Sequence, residues 1–425
     1  MSVTTEVERE TGPRSKPGLL RMLSSLQRSS GFRRLWFSNM FFFGGAWTQT
    51  LVLGWLVFET THSEFLLALF TSVRLAPLLL GPFGGVLSDR FERVRLLIVA
   101  CLWAIGSVTA VTVMVTLGYM PYWSLLLGGL AIGLAQSPSQ PARAALVLDL
   151  VGRENLSNAN ALNSMAMNMT QVIGPALGGA MISAFGAASA LWISTAWYVI
   201  SLVAIWPLRS LKSTRQAHQE SALQMLTGGF RMILSSRLTA AVLAVTLAAN
   251  ILLWPIYQAF MPVFAAEVLG LDAAGLGWLL TFSGAGALTG SLIIASLGDF
   301  KFKGGFFVFG TGSWALLWSL FALSGTVPLS FALMFGIGLM SASFGVMQTT
   351  LLLMTTDPAL HGRALGVQEL AIGIMPLSAL LIGVVAQQVG VGPTAFVSSS
   401  LLVLAMLALA IRVPELLRYS GGRHE

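Results

Sequence analysis

Arg74 and Glu369 are the two residues of this 425-residue chain whose chemistry least suits their surroundings. Arg74 sits in the apolar run between Glu64 and Asp89. On a helix it would lie about 15 Å from the first acid and about 22 Å from the second. That places it near the midplane if the run crosses a membrane, where a guanidinium costs from about 3 to more than 10 kcal/mol. Losing the proton offers little relief, because arginine stays charged. Arg74 must therefore face a wet cavity or a polar partner. One role is anion binding or coupling. The other is a structural bond to carbonyls beside Pro77, or snorkelling. Glu369 is the one carboxylate clearly inside an apolar span. Burial would favour its protonated form, and pairing with Arg90 or Arg93 would favour the charged one.

Polar residues at similar depth are Gln49, Gln136, Gln140, Asn168, Gln171, Asn250, Tyr257 and Gln348. They are candidates to line a cavity or to bond neighbouring helices. Trp47, Trp254, Met167, Met261, Met347 and Met375 would add an adaptable apolar wall, although Met is also an ordinary filler of gaps. None of this is hydrolytic or metal chemistry. The sequence has no GxxxxGK[ST], HExxH or GxSxG, its four His lie outside span interiors, and Cys101 is its only cysteine. The expectation is a non-enzyme without metal, cofactor or ATP site.

The elements that hold these residues are apolar runs. The chain is 55% hydrophobic and 10% charged, too few charges to cover a soluble protein of this length. Twelve candidate spans run near 36–58, 65–88, 96–117, 122–147, 162–185, 188–207, 238–263, 274–297, 306–324, 329–354, 366–389 and 393–412, each near the length that crosses a bilayer. Of the 24 Lys and Arg residues, all but Arg74 fall in the tails or in alternate connections. The positive-inside rule then puts both termini in the cytoplasm, and the net charge of +7 reflects orientation, with no nucleic-acid stripe. The expected organisation is a tail over 1–35, a six-helix bundle over 36–208, a linker over 209–237, a second bundle over 238–413 and a tail over 414–425. Leu223, Leu226, Phe230 and Ile233 have the spacing of a surface helix within the linker. The stretches 146–186 and 354–390 look alike at an offset of about 204, as parallel repeats do in transporters.

Small residues form stripes on four spans. Span two carries Thr71, Arg74, Gly81, Gly85 and Ser88. Span five carries Asn160, Asn163, Met167, Gln171, Gly174 and Gly178. Span eight carries Gly277, Thr281, Gly284, Ser291 and Gly298. Span eleven carries Gly362, Gly366, Glu369, Gly373, Pro376 and Gly383. Such stripes allow close helix approach. Static packing explains any one of them. Their occurrence at the second and fifth positions of each half points to a moving contact between halves.

Three stretches carry a family resemblance. Gly85-Val-Leu-Ser-Asp89-Arg90-Phe-Glu-Arg93-Val-Arg95 resembles the loop motif Gly-x-Leu-x-Asp-Arg-x-Gly-Arg-(Lys/Arg) of the major facilitator superfamily, with Glu92 in place of the second Gly. Gly174-Pro175-Ala-Leu-Gly178-Gly179 resembles the Gly-Pro-x-x-Gly-Gly motif of the exporting antiporters. Residues 141–163 resemble the twelve-helix branch of enterobactin exporters and macrolide-type efflux pumps, with lysophospholipid transporters as near relatives. The resemblance covers about residues 30–410. It implies an all-α membrane protein of twelve helices in two pseudo-symmetric bundles, working by alternating access in the bacterial cytoplasmic membrane. It implies export of amphipathic small molecules such as drugs or siderophores, with lysophospholipid movement as the alternative. A non-transporting membrane receptor is the reading from another class, against which the gate motif argues. By resemblance, Asp89, Arg90, Arg93 and Asp149 close the cytoplasmic side. Gly129 stands where the antiporters carry an Arg tied to proton coupling, so proton, sodium and uncoupled exchange stay open. The expected partners are a small substrate and membrane lipid, with the chain as a monomer.

Overall fold

A computed structural model describes residues 26–27, 29–80, 92–210, 236–297, 300–357 and 360–421. Gly85, Asp89, Arg90 and the linker segment around Leu223–Ile233 lie outside the described residues. Helices dominate, and no strand occurs among the described residues. We number them α1 Ser30–Thr61, α2 Glu64–Leu75, α3 Arg93–Thr116, α4 Tyr122–Phe185, α5 Ala187–Ile205, α6 Arg237–Leu252, α7 Ala273–Leu297, α8 Lys303–Leu323, α9 Val327–Met354, α10 His361–Gly373, α11 Met375–Val389, α12 Val391–Arg412 and α13 Pro414–Arg418.

Local sequence explains where these helices begin and break. Ser29, Ser63 and Ser236 cap α1, α2 and α6 by accepting from backbone N–H groups three residues on, which satisfies donors that a helix start leaves open. Beyond Leu75 the chain tightens into a 3-10 turn, Ala76–Leu80, where Pro77 removes a donor. Gly152 has φ 69° and ψ 174°, so the 64-residue α4 is two rods meeting at that glycine. After Pro255, α6 continues as two π-helical stretches, Ile256–Phe260 and Phe264–Val268, a widening expected where proline interrupts the ladder. Pro376, near the start of α11, marks the break from α10 in the same way.

Among the described residues, nine helices or joined helices are long and apolar enough to cross a membrane. Three of the twelve expected spans fall outside that count. Span two is described only to residue 80, and spans four and five are joined in α4. Large apolar side chains such as Leu381, Leu404 and Ile411 are exposed on outer faces, as lipid-facing helices require.

Helix contacts fall into two groups joined by a seam. α1 packs on α4 and α5, and α3 packs on both as well. α9 packs on α7 and α8, and α8 on α12. Between the groups, α4 packs on α7 and α2 on α11. Inside the first group, a Cβ on Gly133 would overlap the backbone oxygen of Arg74 and lie 3.3 Å from Pro77 Cγ. A larger residue there costs about 1–3 kcal/mol of overpacking. Gly133→Leu is therefore expected to lower the yield of folded protein from membranes several-fold, read by size-exclusion of the extracted protein. An undiminished yield would contradict this packing.

Candidate functional site

The seam between groups is built from backbone. A Cβ on Gly179 would lie 2.6 Å from the Ala273 oxygen and 2.9 Å from Gly277 Cα, and one on Gly277 would lie 2.7 Å from the Pro175 oxygen. About two turns further along, a Cβ on Gly284 would lie 2.8 Å from the Gln171 oxygen. Polar bonds run along the same line. Ser183 donates to Asp272 Oδ2 at 3.1 Å, Thr281 to the Val172 oxygen at 3.2 Å, and Asn168 Nδ2 to Ser291 Oγ at 3.2 Å. The span-eight stripe at Gly277, Thr281, Gly284 and Ser291 thus lies against span five. The Gly-Pro motif divides between two neighbours. Gly174 and Gly178 pack on Trp47 and Thr48 of α1, within their own group, while the Pro175 oxygen and Gly179 meet α7. Gly174 and Gly178 share one face, as their spacing implies, but that face packs inside the first group and not between the groups. Adjacent residues on a helix point about 100° apart, so one motif serves two contacts.

On the α2–α11 side, Ser63 Oγ donates to Gln387 Oε1 at 2.7 Å and Phe65 N–H to the same oxygen at 3.1 Å. Gly383 packs on Ala68, and a Cβ on Gly373 would lie 3.0 Å from the Leu78 oxygen. Gly362 and Gly366 differ, since a Cβ on either would meet no described atom within 4 Å. Gly286 and Gly290 face α9 in their own group. Among the described residues, then, neither the Gly362/Gly366 pair, nor the Gly286/Gly290 pair, nor Gly174 and Gly178 has its nearest contacts in the other group. Gly81 and Gly85 are outside the described residues.

Arg74 is 5% exposed and donates from Nη1 to Thr50 Oγ1 of α1 at 2.7 Å. Its bond is therefore inside its own group and not across the seam. Gln49 and Gln136 come together on one phenol: Tyr198 donates to Gln49 Oε1 at 3.0 Å, and Gln136 Nε2 donates to the Tyr198 oxygen at 3.4 Å. Gln49 is fully buried, with Nε2 left without a partner.

A second buried arginine is the residue that sequence reasoning missed. The placement of basic residues in alternate connections puts Arg143 in the loop after span four, yet it is 2% exposed inside the first group. The reason is that α4 continues to Gly152 before it turns, which leaves Arg143 about 13 Å short of the corner. Its Nη1 donates to Asn39 Oδ1 at 2.6 Å and Ser38 Oγ at 3.1 Å, and its Nη2 reaches Cys101 Sγ at 3.6 Å. Its guanidinium lies 4.3 Å from the Phe42 ring centroid, and Nε has no partner. Asn39 also donates to Asn163 Oδ1 at 2.6 Å. The signal was present in Ser38-Asn39 and Asn163, polar residues that an apolar span has reason to carry only for a buried partner.

Across the interior from α1, aromatic rings from the second group form a wall. Trp47 and Tyr257 have centroids 6.4 Å apart, Tyr257 and Trp254 5.9 Å, and Trp254 and Trp314 5.8 Å. Trp47 belongs to α1 and Tyr257 to the π-helical stretch, so this contact spans the two groups. Gln258 and Gln348 each keep a buried Oε1 without a partner, whereas Asn250 Nδ2 bonds back to the Thr246 oxygen of its own helix at 2.8 Å. Glu369 is exposed on α10.

Of the four gate residues, the structure describes two. Arg93 Nη1 and Asp149 Oδ2 form an ion pair at 2.6 Å, with side chains 13% and 18% exposed. With both side chains mostly shielded from solvent, the pair is worth at least as much as a good exposed pair, about 1 kcal/mol, or about five-fold in a gate equilibrium. Asp149→Asn should slow transport by about that factor, measured as initial efflux rate at matched expression. No change would remove the pair from the gate.

Over residues 23–419 the chain matches the family described as transmembrane secretion effector. The enterobactin exporter EntS of Shigella flexneri is 29% identical over 368 residues, covering 84% of this chain and 86% of that protein. The multidrug efflux pump Tap of Mycolicibacterium fortuitum is 23% identical over 372 residues, covering 85% and 90%. A solved POT family transporter in complex with a thioalcohol-conjugated peptide superposes with a TM-score of 0.73 at 12% identity, covering 91% of this chain and 96% of that one. The nucleoside transporter NupG gives a TM-score of 0.68 at 15% identity, covering 89% and 98%. These structural likenesses establish a shared transporter fold. With a match that runs nearly end to end on that fold, the chain belongs to the transmembrane secretion effector family, an exporter-type branch of the major facilitator superfamily.

Proposed function

We propose that this protein is a secondary transporter that exports amphipathic small molecules, of drug or siderophore type, by alternating access between two six-helix halves. The observation that carries the reading is the glycine seam between α4 and α7, where Gly179 and Gly277 bring two backbones into contact. Close packing alone accounts for such glycines inside one group, but these lie between the two groups, where small residues let halves that rock slide without unlocking side chains. The ring contacts of Trp47, Tyr257 and Trp254, with the unpartnered amide oxygen of Gln258 next in the chain to Tyr257, suit a ligand with both apolar and polar faces.

In this proposal the halves are residues 36–208 and 238–413, the linker and both tails face the cytoplasm, and the chain works as a monomer. Arg74, Asn168, Gln171 and Asn250 serve the substrate path. Glu369, exposed on α10, is the carboxylate placed to take up a coupling proton or sodium ion. The relatives named as exporters support the direction of transport.

The test is efflux of a fluorescent amphipathic dye from loaded cells with and without the gene, followed by transport in reconstituted vesicles under imposed pH or sodium gradients. Faster efflux with the gene supports the reading. Equal efflux across a panel of anionic, neutral and cationic dyes removes it.

A further inference from the structure

The outer face of α3 carries two grooves end to end. At its first turn, α3 and the 3-10 turn Trp206–Ser210 border a groove of about 540 Å³ lined by Arg95, Ile98, Val99, Trp206, Arg209 and Ser210. Further along the same helix, α3 and α4 border a second groove of about 490 Å³, whose lining includes Leu102, Trp103, Gly106 and Leu127. Neither groove is lined by an acidic residue. A Cβ on Gly106 would meet nothing within 4 Å, so the second groove is open at that point. Trp103 donates from Nε1 to the Ala131 oxygen at 2.7 Å, which fixes one wall.

The two grooves differ in chemistry. The first has two guanidinium groups at the membrane-surface end of the helix. Arg209 lies over the Trp206 ring at 5.2 Å. Arg95 Nε is held by Glu92 Oε2 at 2.7 Å, with its side chain 74% exposed. That pair occupies Nε, and among the described residues the terminal nitrogens of Arg95 have no partner; planar forks of this kind suit phosphate oxygens. Trp206 is placed as an interfacial tryptophan would be. The second groove is apolar and begins about two turns deeper. From Arg95 to Gly106 the helix rises about 16 Å, close to the depth of one leaflet, which is about 15 Å.

We propose that the two grooves together bind one anionic phospholipid of the leaflet on the basic side of the membrane. The phosphate sits between Arg95 and Arg209, and one acyl chain follows the α3–α4 groove past Leu102 and Gly106. The site lies on the outside of the first helix group, away from the seam, and does not depend on the substrate carried.

The test is native mass spectrometry of the full chain released from nanodiscs holding equal phosphatidylglycerol and phosphatidylcholine. The wild type should retain phosphatidylglycerol selectively. Each arginine near an anionic headgroup contributes about five-fold, so R95Q with R209Q should lower retention about 30-fold. K301Q, a basic residue elsewhere on the surface, should leave retention unchanged. Gly106→Leu should weaken retention by filling the deeper groove while the arginines remain. Thermal unfolding in detergent verifies that each variant is folded. Equal retention of the two lipids, or full retention by the double arginine variant, overturns the proposal. So does displacement by soluble glycerol phosphate at the concentration that displaces lipid, because a free phosphate would then account for the site.

Discussion

Gly179→Leu should abolish about four-fifths of transport or more while the protein still inserts in the membrane. The seam explains why. Any Cβ at this position already lies 2.6 Å from the Ala273 oxygen and 2.9 Å from Gly277 Cα. Both are main-chain atoms, so no side chain can turn aside to make room. Leucine adds three further carbons, and α4 and α7 must part. Parting them strains the bonds from Thr281 to the Val172 oxygen and from Asn168 to Ser291. Overpacking of this kind costs about 1–3 kcal/mol. Applied to one of two alternating states, that shifts their ratio by about 5- to 150-fold. Gly106→Leu is the control, since nothing lies within 4 Å of its Cβ position. It should transport within about two-fold of wild type. Efflux rates at matched expression decide the matter. A Gly179→Leu protein that works as well as Gly106→Leu would show that the seam does not need to close.

The second large effect separates the two buried arginines. Arg74→Met should cut transport about ten-fold or more without lowering thermal stability, whereas Arg143→Met should lower stability. Arg74 has one side-chain hydrogen bond, to Thr50, worth about 1.5–3 kcal/mol as a charged bond. A guanidinium at that depth costs at least about 2.5–3.5 kcal/mol. The two terms nearly cancel, so stability does not explain why the residue is there, and function is what remains. Arg143 is different. It is bonded to Asn39, Ser38 and Cys101 and lies over the Phe42 ring. Ser38 would keep Ser201 as a partner, but Asn39 Oδ1 would be orphaned in the core. An orphan of that kind costs about 1–3 kcal/mol, and a desolvated cation–π contact adds about 2 kcal/mol. Unfolding midpoints in one detergent, set beside efflux rates, test both halves. If Arg74→Met melts below Arg143→Met, the assignment of roles is reversed.

Among the described residues neither arginine has a carboxylate partner, and no Asp or Glu is buried. The interior of the first helix group is therefore positive. This is a reason to include anionic dyes first in any efflux panel. It also explains why the phenol of Tyr198 and the amides of Gln49 and Gln136 bond one another: they bring polarity to that interior without adding charge.

Much of the architecture was legible from residue types alone. Apolar runs act locally. Each depends on one segment meeting lipid, water or its own backbone. The span-eight stripe was legible too, because glycine and serine at Gly277, Gly284 and Ser291 repeat at helical spacing and have few other uses together. What residue types could not supply was direction and partnership. Gly174 and Gly179 are alike in sequence, yet one faces α1 and the other faces α7. Arg143 reads as a loop residue until Gly152 is seen to carry the turn. Gln49 reads as a cavity residue until Tyr198, 149 positions away, is found bonded to it. The physical division is clear. Burial against lipid is a property of one segment and is written in its composition. A buried hydrogen bond or a backbone-to-backbone contact belongs to two segments at once, and only the packed tertiary structure decides which two.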